Sequence, residues 1–328
     1  MSARPCGRSA LGGLVSRLAG LMTRIFFRGI ELQGIERVPR DRPLVIVANH
    51  TNSIVDALLL LALPGCRPRF LAKSTLFSHP FLGPLLRLAG ALPVYRRVEG
   101  PADLPKNLKT FARCHEALAA GENVALFPEG TSHSHPRRLA LKTGAARIVL
   151  GAESRLGPLG VRIVPVSLRY EAKQRFRSRV RVGIGEAIDP AAEAAGYAAN
   201  PHAAVRDLTE RIGAGLDAAL PEPAWPGAVE KTETRSRRVP RLLARAIARV
   251  GCLLNWLPYS VPGWVASRLS KSPDDPATYK ILTALLAFPL AWALESGLAF
   301  WCGGPALGLA MAITAPASGY VALRLREE

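Results

Sequence analysis

The N-terminal segment of the chain repeats apolar residues at helical spacing. Its apolar positions are Leu11, Leu14, Val15, Leu18, Leu21, Met22, Ile25 and Phe26, and the arginines between them are Arg17, Arg24 and Arg28. A helix that combines an apolar face with basic residues is suited to the interface of a bilayer. We therefore expect an amphipathic membrane-interface helix in residues 1–35. The alternative is a first helix that packs on a core.

Residues 36–220 alternate short apolar runs with helical patterns. The apolar runs are "PLVIVAN", "RFLA", "GALPVY", "NVALFPEG", "RIVPVSL" and "VRVGIG". Strands that alternate with helices are typical of an α/β domain whose sheet is largely buried. The pattern predicts one α/β domain with a mostly parallel central sheet flanked by helices.

Residues 221–279 contain two segments of different composition. They begin with prolines and charges, which is the composition of a linker. They then become basic and amphipathic, with Trp256, Tyr259 and Trp264 placed as interfacial anchors would be. We expect a linker followed by basic interfacial helices.

Residues 280–328 are almost uniformly apolar. Between Lys280 and Arg324 the only charge is Glu295, and Gly303–Pro305 supplies a turn between two apolar stretches of about membrane-spanning length. Basic residues at both ends favour termini on the cytoplasmic side. We expect a transmembrane helical hairpin in the inner or cytoplasmic membrane, with the α/β domain on the cytoplasmic side. The alternative is two helices buried in a core.

Composition and charge narrow the classes of protein. A chain of 328 residues that is 49% hydrophobic and 21% charged is not disordered. The net charge of +18 suits partners that carry phosphate. Nucleic acid is not expected as a partner, because the basic residues are dispersed and aromatic residues make up only 6%. The five cysteines never form C-x-x-C, and His133 and His135 have no second ligand pair, so no metal site is expected.

The first candidate for chemistry is the corner between a strand and a helix. Asn49 and His50 directly follow a run of β-branched residues, so we expect them at the carboxyl end of a strand. Ligand crevices form at this end of the strands in α/β sheets. Asp56 follows six residues after His50, so its carboxylate can reach an imidazole nitrogen and support a general base. Ser53 and Asp56 before an apolar run also fit a capping box, and the residues alone do not decide between the two.

The second candidate is the turn that ends another apolar strand. Glu129, Gly130 and Thr131 lie in a Pro-Glu-Gly-Thr-Ser segment that exposes backbone N–H groups and hydroxyls. Such a turn is suited to bind an oxyanion. The carboxylate of Glu129 would accept hydrogen bonds from hydroxyl groups or hold a cation in place. A common structural turn is the alternative.

The third candidate is a group of cations near strand ends. Its members are Lys73, Arg96, Arg97 and Lys142. If the strands are parallel, these cations collect at the edge that carries His50. Arginine binds phosphate in a bidentate manner, so one of the arginine pair is expected to hold a phosphate. Solvated rim residues are the alternative for each.

The segments around these candidates resemble one family when taken together. The strings "NHTNSIVD", "FLAKSTLF" with "GALPVYRR", "FPEGTSHS" and "IVPVSL" are similar, in this order, to the four sequence blocks of the glycerolipid acyltransferases. This family includes the glycerol-3-phosphate and lysophosphatidic acid acyltransferases. The resemblance covers about half of the chain, from Val45 to Leu168.

The resemblance implies transfer of a fatty acyl group from a thioester to a glycerol hydroxyl. It implies His50 as the base and Asp56 as its partner. Its implied contacts with the phosphorylated acceptor are Arg96 or Arg97, together with Glu129 and Gly130. With the cations and strand-end residues added, the substrate-binding residues that we predict are Asn49, Lys73, Arg96, Arg97, Glu129, Gly130, Thr131 and Lys142.

The spacing within the first sequence block narrows the choice of acceptor substrate. Five residues separate His50 from Asp56, one more than is commonest in the family. This spacing resembles a branch of membrane enzymes that acylate glycerol 3-phosphate or dihydroxyacetone phosphate. We expect that reaction in phospholipid biosynthesis, with acyl-CoA or acyl carrier protein as co-substrate, no cofactor, and membrane lipids around the enzyme. A lysophospholipid acceptor and a non-catalytic lipid-binding protein are the alternatives.

Overall fold

The structure, a computed structural model, describes most of the chain. The described residues are 10–80, 82–95, 105–135, 137–221, 249–270 and 272–325. Arg96, Arg97 and most of the expected linker lie outside them. The chain divides into two compact units, Met1–Pro223 and Ala224–Glu328.

The first unit is built on a seven-stranded sheet. The strands are β1 (Gly29–Gln33), β2 (Leu44–Ala48), β3 (Arg69–Lys73), β4 (Leu92–Val94), β5 (Val124–Leu126), β6 (Arg162–Tyr170) and β7 (Arg179–Ile184). Their order is β1-β7-β6-β2-β5-β3-β4. The β6–β7 pair is antiparallel and the other neighbouring pairs are parallel. The prediction of a mostly parallel sheet is therefore confirmed.

Helices surround this sheet. They are α1 (Ala10–Phe26), α2 (Ser53–Leu61), α3 (Leu82–Leu88), α4 (Lys106–Ala119), α5 (Gly144–Leu156), α6 (Ala191–Tyr197) and α7 (Pro201–Ala218). Leu118, Ile148 and Leu208, from α4, α5 and α7, are buried in one core cluster with Val45 and Val47 of β2. All five residues of β2 are buried, as expected for a strand in the middle of a covered parallel sheet. The corner between β2 and α2 that carries His50 therefore begins at a fully buried strand.

Helix α1 has one buried face and one exposed apolar face. Ala19, Thr23 and Phe26 are buried, and α1 packs against α2. The exposed apolar row consists of Leu14, Leu18, Leu21 and Ile25, which are 48–55% exposed. Their spacing of four, three and four residues places them on one side of the helix. The helix therefore packs on the domain and still presents an amphipathic surface. It ends at Phe26, and residues 29–33 form β1.

The second unit is helical. Residues 249–254 are helical, and they are followed by α8 (Trp256–Leu269) and α9 (Pro276–Leu325), which breaks at Gly304 with a positive φ of 79°. Positive φ is readily adopted by glycine. Among the described residues, Pro276–Ala322 is the one helix long and apolar enough to cross a membrane.

The break at Gly304 folds α9 back on itself. The indole Nε1 of Trp292 donates to Oδ1 of Asn255 at 2.9 Å, while Nδ2 of the same amide donates to the carbonyl of Ala315 at 3.3 Å. A continuous helix would separate Trp292 from Ala315 by about 34 Å. The two arms of α9 are therefore antiparallel, with the turn in the predicted Gly303–Pro305 segment.

Candidate active site

The corner between β2 and α2 brings His50 and Asp56 together. Nδ1 of His50 lies 2.9 Å from Oδ2 of Asp56, and the same oxygen accepts from the backbone N–H groups of Thr51 and Asn52 at 2.8 and 2.7 Å. Ser53 takes a positive φ of 48°, which turns the chain tightly enough for Asp56 to reach back across five intervening residues. Asp56 thus bonds the loop backbone, as a cap would, and also orients the imidazole.

Asp56 is fully buried, and both of its oxygens accept hydrogen bonds. Its Oδ1 accepts from the hydroxyl of Tyr170, at the end of β6. Burying a carboxylate is costly unless donors surround it. Four donors surround the carboxylate of Asp56, so hydrogen bonds compensate for its burial beside His50.

The imidazole of His50 is held in one plane. Its ring stacks on Phe127 with a centroid distance of 3.9 Å and an interplanar angle of 7°, and the side chain is 15% exposed. Because Nδ1 faces Asp56, a neutral ring that donates through Nδ1 keeps the lone pair of Nε2 for a substrate proton. This is the arrangement of a general base with an orienting carboxylate.

Glu129 connects the second predicted segment to the first. Its Oε1 accepts from the backbone N–H of His50 at 2.9 Å, and its Oε2 accepts from the N–H of Leu139 at 2.7 Å and bonds Nε2 of His133. The backbone N–H of His133 in turn donates to the carbonyl of His50 at 3.0 Å. Both oxygens of this buried carboxylate are therefore engaged within the protein, and Glu129 braces the loop that carries His50.

The turn after Glu129 is shaped by glycine. Gly130 has a positive φ of 75°, and a Cβ placed there would lie 3.3 Å from Cγ of Lys142. The backbone N–H of Lys142 donates to the carbonyl of Pro128 at 2.7 Å, which closes the turn. Thr131 and Lys142 are both exposed beside it. The predicted residues of this segment thus lie next to the His50–Asp56 pair.

Two further predicted residues lie at the same edge of the sheet. Strands β2, β3, β4, β5 and β6 run in one direction, so their carboxyl ends share one edge. Lys73 is the last residue of β3, and Asn49 directly follows β2. The amide of Asn49 accepts from the N–H of Leu168 at 2.7 Å and donates to its carbonyl at 3.0 Å, so it joins the ends of β2 and β6.

Residues 29–169 match the family model described as Acyltransferase. These residues form an acyltransferase-family domain. A chloroplastic 1-acyl-sn-glycerol-3-phosphate acyltransferase of Arabidopsis thaliana is 32% identical over 148 residues, which are 45% of this chain and 38% of the relative. Glycerol-3-phosphate O-acyltransferase 1 of Saccharomyces cerevisiae is 35% identical over 109 residues, which are 32% of this chain and 14% of the relative. The chain therefore spans well under half the length of these relatives.

A solved structure is also similar to the chain. The crystal structure of a 1-acyl-sn-glycerophosphate acyltransferase from Thermotoga maritima has a TM-score of 0.45 at 21% sequence identity. The similarity covers 64% of this chain and 81% of that chain.

Three further residues contact this site, and the sequence alone did not identify their roles. Tyr170 lies directly after the matched residues and bonds Asp56. His133 was considered only as a metal ligand, and it bonds Glu129. Nζ of Lys173 donates to the carbonyl of Thr51 at 2.8 Å and to Oγ of Ser134 at 2.6 Å. No group of three metal-ligating His, Cys, Asp or Glu side chains occurs in the part of the chain that the structure describes.

Proposed function

We propose that this protein transfers a fatty acyl group from an acyl thioester to a hydroxyl of glycerol 3-phosphate or dihydroxyacetone phosphate in phospholipid biosynthesis. The observation that carries the proposal is the 2.9 Å contact between Nδ1 of His50 and Oδ2 of Asp56, at the carboxyl edge of a parallel sheet. An alcohol is a poor nucleophile until a base takes its proton as the new bond forms. The His50–Asp56 pair supplies that base.

The reaction needs only these protein groups and the two substrates. Nε2 of His50 takes the hydroxyl proton while the oxygen attacks the thioester carbonyl, and the resulting tetrahedral intermediate carries an oxyanion. The N–H of Gly130 itself donates to the carbonyl of Phe127 at 3.0 Å, so other backbone N–H groups of this turn would stabilise that charge. The C–S bond then breaks, the imidazolium returns the proton to the leaving thiolate, and the acyl ester remains. The donor is acyl-CoA or acyl-carrier protein, and no cofactor is required.

The phosphate of the acceptor would be held by cations. Lys73, Arg96, Arg97 and Lys142 are the residues that we assign to this role. Such cations orient a dianionic acceptor, so that its hydroxyl is held close to the thioester and to the base. Two positions support the proposal: Lys73 ends β3 at the sheet edge that carries His50, and Lys142 closes the turn that contains Glu129.

A lysophospholipid acceptor is the second candidate. The name of the Arabidopsis relative specifies a 1-acyl-sn-glycerol-3-phosphate acceptor, whereas the yeast relative is named for glycerol 3-phosphate. A non-catalytic lipid-binding protein is a poorer explanation, because such a protein has no use for a buried carboxylate aligned on an imidazole.

An acceptor panel tests the proposal. The full-length protein, purified in detergent, is supplied with labelled acyl-CoA or acyl carrier protein and with each acceptor in turn. We expect acylation of glycerol 3-phosphate or dihydroxyacetone phosphate at a kcat/KM about tenfold above that of lysophosphatidic acid, equivalent to about 1.4 kcal/mol. Preference for lysophosphatidic acid would select the second candidate. Lipid association without turnover on any acceptor would refute an acyltransferase.

We also propose that the protein is bound to the inner or cytoplasmic membrane on its cytoplasmic side. The apolar hairpin of α9 and the exposed apolar row of α1, flanked by Arg17 and Arg24, support this location. Lysine and arginine beside an apolar face are attracted to anionic lipid.

The membrane contact of α1 can be tested by measuring how deeply a fluorophore attached to the helix enters the bilayer. In a chain whose Cys6, Cys252 and Cys302 are replaced by serine, Leu18→Cys and Leu108→Cys carry the same environment-sensitive fluorophore. Both leucines are exposed, Leu18 on α1 and Leu108 on α4. In anionic liposomes we expect blue-shifted emission and quenching by brominated acyl chains at position 18 and not at position 108. Equal quenching at both positions, or none at position 18, contradicts an interfacial α1.

A further inference from the structure

Tyr170 touches the buried partner of the base from the side opposite His50. It is the last residue of β6, and it pairs with Val180 of β7. Its hydroxyl donates to Oδ1 of Asp56, whereas His50 and the loop backbone use Oδ2. The phenol therefore completes the set of donors around the carboxylate.

The phenol is fixed in place and stays protonated. Burial, and then the negative charge of Asp56, raise the pKa of Tyr170 well above its usual value, so the hydroxyl remains a donor across the pH range of an assay. The ring packs beside Phe27, with centroids 5.8 Å apart. Phe27 is itself buried and follows the end of α1. The position of the hydroxyl is thus set by packing.

We propose that Tyr170 is a positioning residue for the acyl transfer, acting through Asp56 on His50. A carboxylate that is bonded at both oxygens cannot rotate about its Cβ–Cγ bond without losing a donor. The bond from Tyr170 therefore holds Oδ2 of Asp56 toward Nδ1 of His50 and leaves Nε2 available to the acceptor hydroxyl. This inference rests on the proposed function, and the hydroxyl of Tyr170 does not touch substrate.

Tyr170→Phe removes the hydroxyl and keeps the ring that packs beside Phe27. We expect kcat/KM to fall between about 10- and 100-fold, by analogy with the loss of a residue that orients a metal ligand. We also expect the acid limb of the pH–kcat/KM profile to move to higher pH. Without the phenol, Asp56 accepts one hydrogen bond fewer, and its carboxylate then stabilises the protonated imidazole of His50 more strongly. A higher pH is therefore needed to deprotonate the base.

Other titratable groups near the pair are the same in both proteins. Lys173 bonds the carbonyl of Thr51, and Glu129 bonds the N–H of His50 and the ring of His133. Since none of these groups changes, the difference between the two pH profiles reports the phenol. The position of the limb does not depend on the concentration of active enzyme, so partial misfolding of the variant does not hide the result.

Tyr197→Phe is the matched control, because this tyrosine of α6 packs against the same domain's core away from Asp56. It is expected to match the wild type in rate and in pH profile. In an Asp56→Asn background, Tyr170→Phe is expected to change the residual rate less than twofold, because the carboxylate through which Tyr170 acts on His50 is already absent. Equal losses in both backgrounds, or an unchanged acid limb, would overturn the inference. Absence of transfer by the wild type would instead overturn the proposed function.

Discussion

Replacing His50 by alanine is expected to lower acyl transfer about 1,000-fold, within the range for loss of a general base. The acceptor hydroxyl then has no group to take its proton, although the substrate pocket is retained. The measurement is the initial rate in membranes with labelled acyl donor and glycerol 3-phosphate. KM for the acceptor should change much less than kcat, because Nε2 acts in the transition state.

His202→Ala is the control for this variant. His202 is exposed on α7, so its replacement removes an imidazole without touching the sheet edge. Activity of His50→Ala near that of His202→Ala would refute His50 as the base.

Asp56→Asn should have the second-largest effect. The asparagine amide has one acceptor oxygen in place of two, so at least one of the buried donors from His50, Thr51, Asn52 and Tyr170 loses its partner. We expect a loss of at least 100-fold in kcat, because the imidazole loses its orienting charge. An unsatisfied buried donor costs about 1–3 kcal/mol, so thermal unfolding should also occur at a lower temperature.

The rate and the unfolding temperature of Asp56→Asn are both compared with those of Asp207→Asn. Asp207 is half-exposed and pairs with its neighbour Arg206, so its replacement should change the free energy of unfolding by less than about 0.5 kcal/mol. A wild-type rate in Asp56→Asn would show that the carboxylate does not support His50. A wild-type unfolding temperature would show that its four hydrogen bonds add little to stability.

Much of the active site could be predicted because its chemistry is local in sequence. His50 and Asp56 share one corner, and the spacing of six residues suffices to expect a contact. Buried apolar runs also reveal the strands, so the parallel sheet and the edge that carries Lys73 follow from the same pattern. The Gly303–Pro305 turn was equally visible, since glycine and proline interrupt two apolar stretches.

The rest depends on contacts between distant parts of the chain. Tyr170 is 114 residues from Asp56 and meets it only because β6 pairs with β2. Nothing in its own neighbourhood distinguishes it from any tyrosine at a strand end. Strand β1 was missed for a related reason: its five residues follow directly on a helical pattern, and their partner is β7, far along the chain. The three protein donors that Glu129 meets come from separate turns, so its role in bracing the loop was not visible in the sequence, and its contact with substrate stays a prediction.

The loop between β2 and α2 has a consequence for how this domain diversifies. Thr51 serves the pair through its backbone alone: its N–H donates to Asp56, and its carbonyl accepts from Lys173. Every amino acid except proline brings those two groups, so the hydrogen bonds that support the imidazole do not depend on which side chain stands at position 51. Descendants of one ancestor can therefore differ at this point and still share a single proton-transfer geometry.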